Sequence, residues 1–189
     1  TSNRFRDHLT RKALAIKIPS SSTSEVGIQG TSLSGYAAIT TGGFSVSSWV
    51  NLVNNNTNAR YIMEAVPSTA TNGVLRFLFE NGKIIIRIYN NSNNFRDWQW
   101  NVTMNSFVNV WRNVGLSWDG NFNNEPVLYV DGVSQGSADV VSSLPAGSPT
   151  TISTISTITI GDRNLNNAFF EKVGSIQAIG IWNKPLTSA

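Results

Sequence analysis

The sequence contains no cysteine and little charge, and both shortages limit what the protein can be. Without cysteine, the 189-residue chain forms neither a disulfide framework nor a thiolate metal site. Charged residues make up only 13% of the chain, whereas Asn, Ser, Thr and Gly are abundant. Long helices need more Ala, Leu, Glu and Lys than this, so we expect short strands joined by polar turns.

A long apolar run is also missing. No stretch approaches the roughly 18 to 20 apolar residues of a membrane-spanning helix, and no charged start followed by an apolar centre indicates a signal peptide. We therefore expect no membrane insertion. At 189 residues the chain fits one domain, which is large enough to bury about 70% of the surface that its unfolded form exposes.

The net charge of +3 is concentrated at one end of the chain. Five of the fourteen basic residues lie in the first seventeen positions, whereas residues 18–189 carry nine Lys and Arg against ten Asp and Glu. No stripe of alternating basic and aromatic residues follows, so no nucleic-acid partner is expected. We predict that residues 1–12 form a basic arm outside a domain of residues 13–189, either solvated or docked on a neighbouring subunit of a homo-oligomer or larger assembly.

Short runs of alternating or β-branched residues recur, and each ends at Gly, Asn, Asp or Pro. This pattern is typical of a β-sandwich or barrel rather than of alternating strands and helices. The pairs Asn81-Gly82 and Asp131-Gly132 predict two tight hairpins, because both positions of such a turn need positive φ. The predicted strands are residues 13–18, 35–39, 44–52, 61–66, 74–79, 83–89, 97–102, 111–118, 127–130, 155–160 and 173–182.

Alternation within these strands predicts which side chains face the core. The predicted core set is Leu75, Phe77, Phe79, Ile84, Ile86, Ile88, Val114, Leu116 and Trp118. The opposite faces are predicted to be solvated or to contact a ligand, and they carry Arg76, Glu80, Arg87, Tyr89, Asn113 and Ser117.

Three blocks of sequence resemble the laminin-G-like and pentraxin-like branch of the concanavalin A-like jelly rolls. They are residues 43–50, with Phe-Ser-Val-Ser-Ser-Trp-Val; residues 111–120 followed by 126–132, with Leu-Tyr-Val-Asp-Gly; and residues 158–161 followed by 173–187. Their order and spacing are similar to the family's over residues 13–188. The resemblance implies an all-β antiparallel sandwich of the jelly-roll type, but such a fold alone fixes no ligand.

The sequence contains no recognisable set of catalytic residues. A glycoside hydrolase needs two carboxylates about 5 to 9.5 Å apart, and no two acidic residues lie at i, i+2 or i, i+4 on one predicted strand. The single histidine, His8, falls in the basic arm, where it cannot serve a Ser-His-Asp arrangement. We therefore expect no enzymatic activity.

Calcium is the ion that the family resemblance suggests, held by oxygen ligands at a rim loop. Two loops offer such ligands: Asp162, Asn164, Asn166 and Asn167 in one, and Asp119, Asn121, Asn123 and Asn124 in the other. Each loop has a single acid, whereas strong sites concentrate charge. Solvated turns are the preferred interpretation, and no cofactor is expected.

Trp98 and Trp100 lie two residues apart, so a strand projects them from one face beside Arg96. Sugars stack on such aromatic platforms. The alternative is that both are core residues, as Trp49, Trp111, Trp118 and Trp182 are expected to be. The predicted recognition surface combines this strand with two polar loops, and its residues are Tyr89, Asn93, Asn94, Arg96, Trp98, Trp100, Asp162, Arg163, Asn164 and Asn166.

Two functions of different classes fit these features. The first is a non-catalytic module for carbohydrate recognition or adhesion, with a glycan or protein partner. The second is a structural component of a large assembly, such as a viral capsid decoration or fibre head, which the basic arm and the low charge favour. Both predict an extracellular or virion-surface location.

Deletion of residues 1–12 tests the arm. Because basic side chains are not buried without partners, the shortened chain should keep the melting temperature of the full chain and lose any self-association. Circular dichroism and size-exclusion chromatography measure the two properties. Global unfolding of the shortened chain would instead make the arm part of the core.

Overall fold

A computed structural model of the chain describes residues 28–31, 43–55, 59–67, 75–89, 95–121, 123–142, 155–161, 174–182 and 184–186. The basic arm and the predicted strands at residues 13–18 and 35–39 lie outside the described residues. The described part of the chain contains no helix long and apolar enough to cross a membrane.

The described strands form two antiparallel sheets, which confirms the predicted all-β sandwich. The strands are β1 Ile28–Thr31, β2 Phe44–Leu52, β3 Arg60–Pro67, β4 Leu75–Glu80, β5 Lys83–Tyr89, β6 Phe95–Asn101, β7 Arg112–Trp118, β8 Val127–Val130, β9 Val133–Ser134, β10 Val140–Val141, β11 Ile155–Ile160 and β12 Gly174–Trp182. One sheet has the order β1-β11-β3-β4-β5-β6-β10 and the other β12-β2-β7-β8-β9. A 3-10 turn at Met104–Phe107 connects β6 to β7 across the two sheets.

Both predicted hairpins are present. Asn81 and Gly82 have φ angles of 50° and 77°, and Asp131 and Gly132 have φ angles of 51° and 79°. These left-handed pairs match the twist of the flanking strands, which is why Asn-Gly and Asp-Gly are favoured there. Each turn closes tightly, since Glu80 pairs with Lys83 and Val130 with Val133.

Aromatic residues from both sheets meet in the core. The ring centroids of Trp98, on β6, and Trp118, on β7, lie 6.4 Å apart, and Phe44, on β2, lies 5.8 Å from Trp118 in an edge-on arrangement. All nine side chains of the predicted core set are buried. Period-2 patterning therefore identified the inner face of β4, β5 and β7 correctly.

The outer face of the seven-stranded sheet differs from the prediction, because its centre is buried too. Glu64, Arg76, Arg87 and Asp97 pair in register across β3, β4, β5 and β6. Arg76 Nε donates to Glu64 Oε1 at 2.6 Å, and Arg87 donates to both oxygens of Asp97 at 2.5 and 2.6 Å. Each arginine is paired with a carboxylate, which offsets the cost of burying its charge. Because Arg76 is buried, the prediction that it is solvated is wrong.

An apolar group lies beside this row of charges on the same outer face. Tyr61, Leu78 and Ile85 form a second buried cluster, separate from the core between the sheets. The centre of the seven-stranded sheet is therefore covered on both faces. Its outer surface leaves no open platform for a ligand at these positions.

Removing one partner of the buried ion pair tests this description. Glu64→Gln leaves the Arg76 guanidinium buried beside a neutral group, so we expect a loss of about 3 kcal/mol in the free energy of unfolding. The double variant E64Q/R76M should lose less than the sum of the two single variants, because it leaves no uncompensated charge. Urea unfolding measures both, and additive losses would contradict a coupled buried pair.

Candidate functional site

Trp98 and Trp100, the centre of the predicted recognition surface, lie in the core. Each side chain is only 1% exposed, and they pair across β5 with Ile86 and Ile84, which also face inward. Trp100 Nε1 donates to the carbonyl oxygen of Gly136 at 3.1 Å. Neither ring offers a face to solvent, so the prediction of an exposed Trp98–Trp100 platform is wrong.

The other predicted site residues divide into two groups. Arg96 is half-buried and places its guanidinium 5.6 Å from the centroid of the Trp98 ring, and Tyr89 ends β5 opposite Phe95. The remaining residues lie outside the described part of the chain, and their contribution stays a prediction: Asn93, Asn94, Asp162, Arg163, Asn164 and Asn166.

Two other tryptophans are exposed, on the outer face of the five-stranded sheet. Trp49 and Trp111 are 40% and 41% exposed, so the prediction that both are core residues is wrong. Trp49, on β2, pairs with Asn113, on β7, and Trp111 lies two residues before Asn113. Diagonal neighbours of this kind lie about 7 to 8 Å apart, so the register places the two residues near each other on this face.

Alternation could have identified this pair. On β2 the buried apolar residues, Phe44, Val46, Val50 and Leu52, all have even numbers, whereas Trp49 alternates with them and so belongs to the other face. Trp111, directly before β7, is likewise in step with the outward Asn113 and Ser117 rather than with the core residues Val114, Leu116 and Trp118. By contrast, Trp98 and Trp100 alternate with the polar residues Asp97 and Gln99, so they lie on the opposite face of β6 from these two. The polarity of the alternate residues, rather than the tryptophan spacing, distinguishes the exposed pair from the buried one.

Amide side chains surround the exposed pair. Gln177, on β12, pairs with Trp49, and Asn51 lies two residues further along β2. Asn113 Nδ2 donates to Ser47 Oγ at 3.0 Å, which orients this amide. We call Trp49, Asn51, Trp111, Asn113 and Gln177 the tryptophan face.

The turn after β8 makes this face rigid. Arg112 donates to Asp131 Oδ2 at 2.7 Å, and Asp131 Oδ1 accepts the backbone N–H of Asn113 at 2.8 Å. One carboxylate thus joins the start of β7 to the hairpin beside it. Side chains on such a regular sheet are held more precisely than side chains on loops.

A short segment, residues 184–186, crosses the far end of the same sheet face, and we call it the strap. Ser45 Oγ donates to the carbonyl oxygen of Lys184 at 2.9 Å and accepts the N–H of Leu186 at 2.7 Å. The same hydroxyl lies 3.3 Å from Ser117 Oγ. A single buried serine therefore fixes the strap to β2.

A cavity of about 310 Å³ opens between the strap and β8. Val127, Tyr129, Pro185 and Leu186 give it an apolar and aromatic wall, and Ser117 contributes a hydroxyl. The volume is at the lower limit of ligand-binding cavities, which begin at about 300 Å³. This is room for one small group rather than for a large cofactor.

The Asp119 loop, which the sequence offered as a calcium site, is organised by its own hydrogen bonds. Asp119 accepts the N–H of Asn121 at 2.8 Å and the side-chain amide of Asn124 at 2.5 Å. Across the described ranges, no group of three or more acidic or histidine side chains is arranged to hold a metal ion. The loop containing Asp162, the other calcium candidate, lies outside those ranges.

Comparison with known proteins defines the class. A family model of the laminin-G type, from the concanavalin A-like lectin/glucanase superfamily, matches residues 26–189. The chain therefore belongs to the concanavalin A-like lectin/glucanase superfamily, as the three sequence blocks implied. No curated protein matches the chain significantly.

Solved structures with the same fold include binding domains of botulinum neurotoxins. The domain of neurotoxin DC in complex with SialylT has 14% identity and a TM-score of 0.59, covering 86% of this chain and 37% of that one. The same domain in complex with rat synaptotagmin II has 15% identity and a TM-score of 0.62, covering 89% and 39%. The serotype D/C binding domain has 17% identity and a TM-score of 0.63, covering 89% and 40%. The chain thus spans less than half the length of these solved chains, and the similarity shows that they share its fold.

Ser45→Ala tests the attachment of the strap. The variant leaves the Leu186 N–H without its acceptor, so hydrogen exchange at this amide should become about fivefold faster, as the loss of one hydrogen bond of about 1 kcal/mol implies. Amides of β2 and β7 should exchange at their native rates. Native exchange at Leu186 in the variant would show that the strap is held by something other than Ser45.

Proposed function

We propose that this chain is a non-catalytic carbohydrate-binding module and that the tryptophan face is its binding surface. The observation that carries the proposal is the exposure of two indoles, Trp49 and Trp111, on the outer face of the five-stranded sheet, whereas Trp118, on the same sheet, is buried. Exposed aromatic pairs without a partner favour association, so a soluble domain retains them where a ligand covers them.

The chemistry of the face suits a sugar. Aromatic rings pack against the apolar side of a pyranose ring, while amides donate to and accept from its hydroxyl groups. Asn51, Asn113 and Gln177 lie next to Trp49 and Trp111, and the nearby Arg112 is neutralised by Asp131. The face is thus aromatic and polar but carries no free charge among its five residues, which favours a neutral polyhydroxylated ligand.

Three of the described carboxylates are engaged by arginines, which supports binding rather than catalysis. Glu64 and Asp97 hold arginines on the outer face of the seven-stranded sheet, and Asp131 holds Arg112. Hydrolysis of a glycosidic bond needs one acid and one base facing each other across the ligand. The tryptophan face contains neither.

The solved neighbours add a general argument. Structures of this fold were determined in complex with SialylT and with rat synaptotagmin II, as their names state. Those toxin binding domains, of which the match covers 37% and 39%, thus take both kinds of partner named there. Their low identity to this chain leaves the choice of partner to the residues of the tryptophan face.

Alanine substitution on a glycan array tests the proposal. Trp49→Ala and Trp111→Ala should each weaken binding of the retained glycans by at least tenfold, because each removes one stacking surface worth about 1.4 kcal/mol or more. Both variants should melt near the native temperature, since the two side chains are exposed. Phe95→Ala is the matched control, because Phe95 is an exposed aromatic residue, 36% accessible, on the other sheet.

Three results would contradict the proposal. The first is native binding in both tryptophan variants together with loss of binding in Phe95→Ala, which would move the site to the loop before β6. The second is the absence of any retained glycan combined with a change of oligomeric state in Trp49→Ala, which would make the face a protein contact in an assembly. Turnover of an oligosaccharide by the native chain would contradict the non-catalytic assignment.

A further inference from the structure

The last strand of the five-stranded sheet contains an extra residue. Gln177 pairs with Trp49. The next pair is Gly180 with Ser47, so three steps along β12 match two steps along β2. Ala178 lies in this bulge and has a φ angle of 50°, a left-handed conformation that is uncommon for a residue with a side chain. A β-bulge bends its strand and changes the direction in which the following side chains point.

The bulge brings Trp182 to the outer face of the sheet. Ile176 is buried in the core, and strict alternation would place the later even-numbered residues on the same side. After the bulge, however, Ile181 packs against the core. Trp182 instead pairs with Ser45, whose hydroxyl holds the strap on the outer face. The prediction that Trp182 is a core residue is therefore wrong, and its side chain lies half-buried outside the core.

The indole of Trp182 lies directly over the backbone of Gly180. A Cβ atom added at Gly180 would stand 2.6 Å from Trp182 Cη2, and 3.0 and 3.2 Å from the two neighbouring ring carbons. The φ angle of Gly180 is not in the left-handed region, so the backbone conformation alone does not require glycine. Glycine is needed here because the ring occupies the space of a side chain.

The end of this indole borders the tryptophan face. Gly180 lies in the same row as Ser47, and the next outward row contains Gln177 and Trp49. Gly180 and Trp49 are thus diagonal neighbours across β12 and β2, a relation that spans about 7 to 8 Å and lies within reach of aromatic side chains. The six-membered ring of Trp182, which stands over Gly180, therefore adjoins the surface on which Trp49 is exposed.

Two local departures from a regular strand serve to place this one side chain. The bulge at Ala178 changes the face to which Trp182 belongs, and Gly180 makes room for its ring. A non-glycine residue in a left-handed conformation costs free energy, and such residues cluster at ligand-binding positions. Bulges likewise occur next to functional sites, where they aim a side chain. An aromatic ring held in this way beside two exposed indoles points to a role in binding.

We infer that Trp182 is a third ligand-contacting residue of the binding surface and that Gly180 positions it. A sugar ring that packs on Trp49 meets the edge of the Trp182 indole, which bounds the tryptophan face on the side of the strap. The inference deepens the proposed function and rests on it, because it assigns a further residue to the same surface.

Two glycine substitutions in one row of the sheet test the inference. Gly180→Ala places a methyl group where the Trp182 ring stands, so it should displace the ring. The affinity for a neutral oligosaccharide that the array retains should fall by at least fivefold, as measured by calorimetry on the full chain. Gly115→Ala is the matched control, because Gly115 also pairs with Ser47 and a Cβ atom there would meet no atom closer than 3.7 Å. The control should bind within twofold of the native chain.

A double variant shows whether Gly180 acts through Trp182. Trp182→Ala should weaken binding of the same oligosaccharide by at least fivefold, because it removes the contact with the ring. In that background Gly180→Ala should change the affinity by less than twofold, since no ring remains to be displaced. Equal losses from Gly180→Ala in both backgrounds would contradict the positioning role. Thermal melting shows whether each variant is folded.

The indole N–H resonance of Trp182 gives a readout in the native chain that does not depend on any variant. It should shift when the oligosaccharide is added. If it stays in place, or if Gly180→Ala and Gly115→Ala bind alike while Trp49→Ala and Trp111→Ala lose binding, the inference is wrong and the proposed function stands. If the native chain binds no oligosaccharide, the proposed function fails and the inference fails with it.

Discussion

The contact between Trp98 and Trp118 joins the two sheets, and the character of both outer faces follows from it. The two ring centroids lie 6.4 Å apart in the core. A buried aromatic side chain removes about 150 to 250 Å² from water, which stabilises the fold by about 4 to 6 kcal/mol. Because side chains alternate along a strand, an inward Trp98 turns Asp97 outward, and an inward Trp118 turns Ser117 and Asn113 outward.

The two outer faces then have different chemistry. On the seven-stranded sheet, Glu64, Arg76, Arg87 and Asp97 form a row of two ion pairs, Glu64 with Arg76 and Asp97 with Arg87, beside the apolar cluster around Leu78. This face is buried at its centre and contributes to stability. On the five-stranded sheet, the outward residues include hydroxyls, amides, glycines and several aromatic rings, among them Trp49, Tyr129 and Trp182. Such a surface offers stacking and hydrogen bonds to a ligand, so we propose that binding takes place on this side.

The sequence predicted the strands and the tight turns well because their causes are local. Lys83–Tyr89 and Val127–Val130 have the predicted bounds, and the Asn81-Gly82 turn follows from the chemistry of two residues. The family resemblance and the jelly-roll fold are confirmed by the match over residues 26–189. Short edge strands such as Val140–Val141 were not predicted, since two residues carry no period of their own.

The site was predicted poorly because it depends on which of two faces each strand presents. Spacing of two residues placed Trp98 and Trp100 together, but it could not say whether they face inward. The exposed pair comes from different strands, so only the register between β2 and β7 brings Trp49 near Trp111. The strap depends on a contact between Ser45 and Leu186, 141 residues apart, and no local pattern predicts a contact at that separation.

Indole N–H resonances give the most direct test of where ligand binds. The chain has six tryptophans, and titration of a retained glycan into isotope-labelled protein can follow each indole separately. Binding on the tryptophan face predicts that the signals of Trp49 and Trp111 shift with ligand, whereas those of Trp98, Trp100 and Trp118 stay in place. Unmoved signals of Trp49 and Trp111, together with shifts of the backbone amides of residues 90–96, would contradict it.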